Sequence, residues 1–222
     1  MRQAVALALF DLDNTLLAGD SDHSFGHFLC AQGIVDEQAF RAATDRFYAD
    51  YQAGTLDIDR YLRHALSPFI GKTPAELAPL LDSFLQDWVE PMVLPAALDL
   101  IERHRQQGDV LAIITATNTV VTQPIAERLG IDTLIGCEAQ LVDGRYSGVP
   151  TGIPSFREGK VKRLQAWLEN AGHSMQGAHF YSDSHNDLPL LEQVDNPVAV
   201  DPDDTLKTIA LNRGWRILSL RS

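Results

Sequence analysis

Phe10-Asp11-Leu12-Asp13-Asn14-Thr15 sets two carboxylates two residues apart, directly after a run of apolar residues. Two acids on one short loop repel each other unless a cation separates them. Magnesium suits that task, since it takes oxygen ligands, keeps several waters and is commonly held by one or two carboxylates plus a substrate phosphate. A turn in which Asp13 or Asn14 simply caps the next segment would use the same residue types. Tyr181-Ser182-Asp183-Ser184-His185-Asn186-Asp187 repeats the pattern near the other end of the chain; read alone, it suits a helix N-cap cluster. Taken together, Asp11, Asp13, Asp183 and Asp187 form a candidate site for one magnesium ion, because four clustered carboxylates without a cation would destabilise the protein. An EF-hand fails: its loop needs Gly at position six and Glu at position twelve, and Leu16 and Asp22, or Leu188 and Val194, stand there.

Two more pieces suit an anion. Thr115-Ala116-Thr117-Asn118 ends a second apolar run where a helix starts, offering a hydroxyl and unpaired backbone N–H groups. Lys160 lies in Arg157-Glu158-Gly159-Lys160-Val161-Lys162-Arg163, a dense basic patch. Its ammonium can reach phosphate as a point charge, or it can lie along a solvated helix face.

These loops need a frame that brings them together. Ala4–Phe10, Val110–Thr115, Ala178–Ser182 and Pro197–Val200 are short apolar runs, as expected of strands covered on both faces of a parallel sheet. Helical-length segments separate them, which predicts an α/β fold with a parallel sheet and crossover helices on both faces. Loops leaving such strands emerge on one edge, where ligands bind. Helices are predicted over Asn118–Leu129, stopping at Gly130, and over Glu158–Asn170, with Ser155 as cap candidate and Gly172 beyond. Asp143-Gly144 predicts a hairpin within Glu138–Gly148. From Gly19 to Pro91 no strand-like run occurs, and Gly33, Gly54, Gly71 and Thr73-Pro74 punctuate helical stretches. The expected division is a core of residues 1–18 and 92–222 with a helical cap at 19–91.

At 222 residues, 45% hydrophobic and 22% charged, the chain has the composition of one globular domain with a modest insertion. A net charge of −12 opposes a phosphate backbone and argues against nucleic acid. The segment from Asp20 to Glu90 holds five basic and twelve acidic residues, more than half of that excess. Cys30 and Cys137 are too few for a disulfide framework and read as buried, inert thiols in a reducing compartment. Met1–Phe10 is too short an apolar segment for a signal peptide, and no stretch approaches a membrane span. A cytoplasmic protein with no membrane partner is expected.

In order and spacing, the four pieces resemble the haloacid dehalogenase-like superfamily of phosphohydrolases, across nearly the whole chain. The helical insertion after the first motif and Ser182-Asp183-Ser184-His185-Asn186-Asp187 are similar to its phosphoserine phosphatase-like branch. The resemblance implies a Rossmann-like core with a helical cap, and a magnesium ion at Asp11, Asp13, Asp183 and Asp187. It implies Asp11 as nucleophile and Asp13 as general acid and base, with Thr115 and Lys160 binding phosphate. Asn14, Thr15 and Ala116 would support the phosphate through their loops. Asp20 holds the place of the acid that contacts the substrate amine, one methylene shorter than the usual Glu. A cap arginine normally holds the substrate carboxylate; Arg41, Arg46, Arg60 and Arg63 are candidates, Arg60 being taken as the substrate-binding one.

The implied activity is hydrolysis of a small-molecule phosphomonoester by a monomer or homodimer. Asp13 favours a phosphatase over a dehalogenase, since an alkoxide needs an acid and a halide does not. A mutase uses the same pair and withholds water, and a non-catalytic phosphate-binding regulator has no use for Asp13. An inward arginine points to phosphoserine; its absence points to an amino-alcohol phosphate such as histidinol phosphate. His23 and His27 have the i, i+4 spacing of a zinc pair but no third ligand in sequence, so they read as lid residues. The aromatics Phe25, Phe28, Phe40, Phe47, Tyr48, Tyr51, Phe84 and Trp88 read mostly as lid core, with one or two near the pocket.

Overall fold

The computed structural model describes residues 6–221; the first residues of the expected first strand, Ala4 and Val5, lie outside them. Leu7–Phe10 forms β1, buried along its whole length. Its side chains alternate between faces, Leu7 and Leu9 against one hydrophobic cluster and Ala8 and Phe10 against another. That two-sided burial is why the run is apolar without a polar alternation.

After β1 the described chain is helical until the second strand. α1 (Ser21–Ala31), α2 (Glu37–Gln52), α3 (Ile58–Leu66) and α4 (Pro74–Phe84) each start at a capping side chain. Asp20, Asp36 and Asp57 accept from the backbone N–H three residues on, and Thr73 and Glu76 form a reciprocal capping box. Part of the acidic excess here is therefore helix-start chemistry. A bridge between Leu17 and Val93 ties the two connections of this segment together, with Ala18 N–H donating to Met92 C=O at 2.7 Å. Phe25, Phe28, Phe69 and Phe84 share one cluster with Phe10, Ile113 and Ile125 of the sheet side. α1 and α4 are thus packed into the main core, whereas α2 buries only Thr44.

α5 (Pro95–Gln107) leads to β2 (Val110–Asn118), α6 (Thr119–Arg128), β3 (Thr133–Val142) and β4 (Arg145–Thr151). Then come α7 (Glu158–Ala171), β5 (His179–Ser182), α8 (Leu188–Leu191), β6 (Asn196–Val200), α9 (Asp204–Arg213) and β7 (Arg216–Leu218). The sheet order is β4-β3-β2-β1-β5-β6-β7, parallel except for the β3–β4 hairpin. The expected α/β architecture is the observed one.

Three details differ from the sequence reading. β2 runs on to Asn118, with its pairing to β3 broken between Ile114 and Asn118; a break of this kind re-aims side chains at the strand end. Ser155 does not cap α7, because its hydroxyl donates to Ile135 C=O at 3.2 Å; Arg157 precedes the helix instead, at φ 50 and ψ −122 without a side-chain cap. β7 had no apolar run to announce it, since Arg216 and Ile217 are exposed.

Candidate active site

β1 and β5 are neighbours in register, Phe10 beside Tyr181, so the loops after them leave the same edge. Asp11 N–H continues the ladder to Tyr181 C=O at 2.9 Å. This brings the two acidic motifs, far apart in sequence, into contact. Thr15 Oγ1 donates to Asp183 Oδ1 at 3.1 Å and accepts from Asp183 N–H at 3.0 Å, so the two loops lock each other.

Lys160, in the first turns of α7, is fully buried behind these loops. Its Nζ donates to Asp11 Oδ1 and Asp187 Oδ2, both at 2.8 Å. Burial alone would lower its pKa, but the Asp11 and Asp187 charges outweigh that and raise it, so the ammonium stays charged. The solvated-face alternative for Lys160 is excluded by this burial. Ser182 Oγ donates to Asp187 Oδ2 at 2.7 Å and fixes that carboxylate from below.

Asp11 keeps Oδ2 without a hydrogen-bond donor among the described residues. Burial, with a contribution from Asp187, pushes its carboxyl up to about 7 against the pull of Lys160. Burial and the Asp11 charge push Asp183 well above the usual carboxylate range. Hard oxygen donors crowded at the ends of adjacent strands, short of positive charge despite Lys160, fit magnesium. Asp11, Asp183 and Asp187 are the acidic side chains around that edge; among the described residues their oxygens form no group of three within 4.8 Å, Asp11 and Asp187 both being turned to Lys160. Asp13 faces elsewhere: Oδ1 accepts from Ser21 N–H at 2.6 Å and Oδ2 from Thr117 Oγ1 at 2.8 Å. Its backbone C=O accepts none of the described backbone hydrogen bonds, so that is the atom through which it can serve a cation.

A cavity opens in front of Asp11. Asp11, Asp13, Thr115, Ala116 and Thr117 line its floor, the last three at the irregular end of β2. Asp20, Asp22, His23, Phe47, Tyr48, Tyr51 and Tyr61 are among the residues that close it from the helical side. Burial raises Asp13 and Asp20 to about 7 and Asp22 to about 6. Asp22 accepts from Asn118 Nδ2 at 2.9 Å and from the Tyr61 hydroxyl. Burial pushes the Tyr61 phenol well above its ordinary value, which keeps it a donor.

Of the expected site residues, Asp11, Asp13, Asp20, Thr115 and Ala116 share this cavity, with Lys160 and Asp187 directly behind Asp11. Asn14 and Asp183 line an adjoining opening with Tyr48 and Tyr51. Asn14 N–H is committed to Gly19 C=O at 2.9 Å and Thr15 N–H to Leu12 C=O at 3.3 Å, so neither serves a phosphate here. Arg60 is exposed, its backbone N–H joins the Asp57 cap at 3.1 Å, and its side chain makes no hydrogen bond among the described residues. Tyr61, one position round α3, turns inward in its place. Among the described residues no arginine or lysine lines the cavity. Tyr61, the bond from Asn118 to Asp22 and the link from Arg157 to Asn186 Oδ1 at 3.1 Å are not evident from the sequence. Nothing in their spacing marks them, because each depends on two elements meeting.

Residues 8–192 match the model of the haloacid dehalogenase-like hydrolase family. A protein of Neisseria meningitidis serogroup C named histidinol-phosphatase is 41% identical, covering 97% of this chain and 99% of that protein. The phosphoserine phosphatase SerB1 of Mycobacterium tuberculosis is 32% identical over 97% of this chain and 71% of its own length. Among solved structures, a Bordetella pertussis protein of unknown function superposes with a TM-score of 0.92 at 40% identity, covering 98% of this chain and all 100% of that one. With two acidic loops joined at one sheet edge around a buried lysine, the chain belongs to the haloacid dehalogenase-like hydrolase family and, within it, to the phosphatases.

Proposed function

We propose that this phosphatase hydrolyses a small aminated phosphomonoester, histidinol phosphate or a close analogue, through an aspartyl-phosphate on Asp11. The observation that carries the substrate class is the cavity wall. Asp20 and Asp22 face the space in front of Asp11 beside flat rings and His23, and no arginine or lysine accompanies them among the described residues. An amine is matched by such a wall. The carboxylate of phosphoserine would enter it unpaired, at a cost of about 1–3 kcal/mol or more for a buried charge left without a partner. The relative named histidinol-phosphatase supports the same choice.

In the first step Asp11 Oδ2, the oxygen that Lys160 leaves free, forms a bond to phosphorus while the bond from phosphorus to the ester oxygen breaks in line. Lys160 orients Asp11 through Oδ1 and holds positive charge behind the site. Asp13 delivers a proton to the departing alkoxide. Thr117 and Ser21 hold the Asp13 carboxylate in place for this. In the second step water attacks phosphorus, Asp13 takes its proton, and the bond from phosphorus to Asp11 breaks. When bound by Asp11, Asp183 and Asp187, magnesium supplies charge stabilisation on the phosphoryl oxygens. Thr115, with its hydroxyl accepting from Thr117 N–H at 3.2 Å, borders the space the phosphate would fill.

The test is a side-by-side measurement of kcat/KM for histidinol phosphate and phosphoserine in magnesium buffer. Histidinol phosphate is expected to be preferred by at least about tenfold, the factor that corresponds to one unpaired polar group. Equal rates, or preference for phosphoserine, overturn the substrate assignment.

A further inference from the structure

α1 and α2 cross closely at Gly26 and Thr44. A Cβ on Gly26 would meet Thr44 Cγ2 at 2.8 Å, so only glycine admits this approach. The crossing sets Asp45, next to Thr44, against His23 and His27, which flank Gly26 on one face of α1. Asp45 Oδ1 accepts from His23 Nε2 at 2.8 Å and from His27 Nε2 at 2.9 Å. The third ligand missing from the sequence is therefore supplied by the neighbouring helix.

From this geometry we propose a second metal site, one for Zn²⁺ or a similar late first-row divalent cation, formed by His23, His27 and Asp45. All three ligand atoms lie within 4.8 Å of one another, and no other such group of three occurs among the described residues. Both imidazole nitrogens are directed at one point, now held by Asp45 Oδ1. A zinc ion bonds imidazole nitrogen at about 2.0–2.1 Å, so it fits on the same two axes once the half-exposed Asp45 carboxylate steps back to become the third ligand. Two imidazoles and a carboxylate leave a fourth position open, and this donor set favours zinc over magnesium. The acidic helical segment adds long-range attraction for a cation.

The position gives such an ion a use. His23 lines the catalytic cavity, and the ring of Tyr48, one turn after Asp45, stacks on it with centroids 4.5 Å apart. α2, which buries only Thr44, also carries Tyr51 into the cavity wall. A cation shared by α1 and α2 fastens that weakly buried helix to the core-packed one and holds the wall closed. This role is independent of which phosphoester the enzyme hydrolyses.

The test uses the whole enzyme, stripped with chelator and kept in saturating magnesium, titrated with Zn²⁺ by calorimetry and with Co²⁺ by visible absorption. His27→Ala and Asp45→Asn are the variants, since neither residue lines the cavity; magnesium-dependent turnover checks that both are folded. Wild type is expected to take up one ion with a tetrahedral or five-coordinate Co²⁺ spectrum. Zinc at 100 times its Kd should raise the wild-type Tm by roughly 5–10 °C. Each variant should bind more than about tenfold more weakly, as loss of even an outer partner weakens a metal site, and lose the Tm shift. Zinc uptake by the variants equal to that of wild type, or no uptake by wild type beyond its magnesium site, overturns the proposal.

Discussion

The floor and the roof of the cavity are built on opposite principles. On the floor, Asp11, Lys160 and Asp187 are almost inaccessible, and each charged group is gripped by others from β1, β5 and α7. The roof comes from α1, α2 and α3, of which α2 fully buries only Thr44, and it presents carboxylates and rings. Fixed charges behind a reacting atom keep their strength because water cannot screen them. A half-exposed wall can be changed without losing that arrangement. The comparison therefore assigns rate to the floor and selectivity to the roof.

The largest effect should follow from the floor's proton carrier. Asp13→Asn retains acceptors for Ser21 N–H and, through its amide oxygen, the local fold, and it should lower kcat by about 10²–10⁴-fold with KM little changed. Steady-state kinetics check this, and a change confined to KM would move Asp13 to the roof's role. Lys160→Ala should cut kcat by about 10²–10³-fold and, by leaving two buried carboxylates unpaired, destabilise the metal-free protein by about 3–5 kcal/mol in urea denaturation. A variant as stable as wild type would show that the pair does not hold the floor.

Roof changes should be smaller and of another kind. Tyr61→Phe leaves Asp22 one donor short and should raise KM about tenfold while kcat stays within a few-fold. The smallest effect is a pH slope. Burial raises Asp20 to about 7 and Asp22 to about 6 from 3.8, so the folded state holds protons that the unfolded state has lost. Their stabilising contribution is complete below about pH 4 and disappears as pH rises to about 7. Asp20→Asn keeps the cap to His23 N–H and should flatten the fall in unfolding free energy across that window. An unchanged slope would mean that Asp20 titrates normally.

The floor was legible in the sequence and the roof was not, for a physical reason. Apolar runs that end in acids mark buried strand ends, and parallel order then dictates that Asp11 and Asp183 meet. Thr115 follows from the same frame, whereas Lys160 reads equally as a solvated helix face until the fold buries it behind Asp11. The helix start at Thr73-Pro74 marks itself in the sequence, whereas the caps at Asp36 and Asp57 emerge only in the fold. Which face of each helix turns inward is decided by packing between helices. For that reason Arg60 was expected in the cavity and Tyr61 is found there. The same limit hid Asp45 from His23 and His27, and the donors to Asp22. The residue type of Ser155 permits a cap, while the strand beside it offers its hydroxyl a carbonyl. β7, three residues with little apolar character, had no pattern strong enough to read.

The most direct test of the account is to quench the enzyme during turnover of a phosphomonoester in magnesium and map the phosphoryl group by peptide mass spectrometry. The expected result is one acid-stable, hydroxylamine-sensitive phosphoryl adduct on Asp11, absent from Asp11→Asn. An adduct on another residue, or undiminished turnover in Asp11→Asn after correction for deamidation, would contradict it.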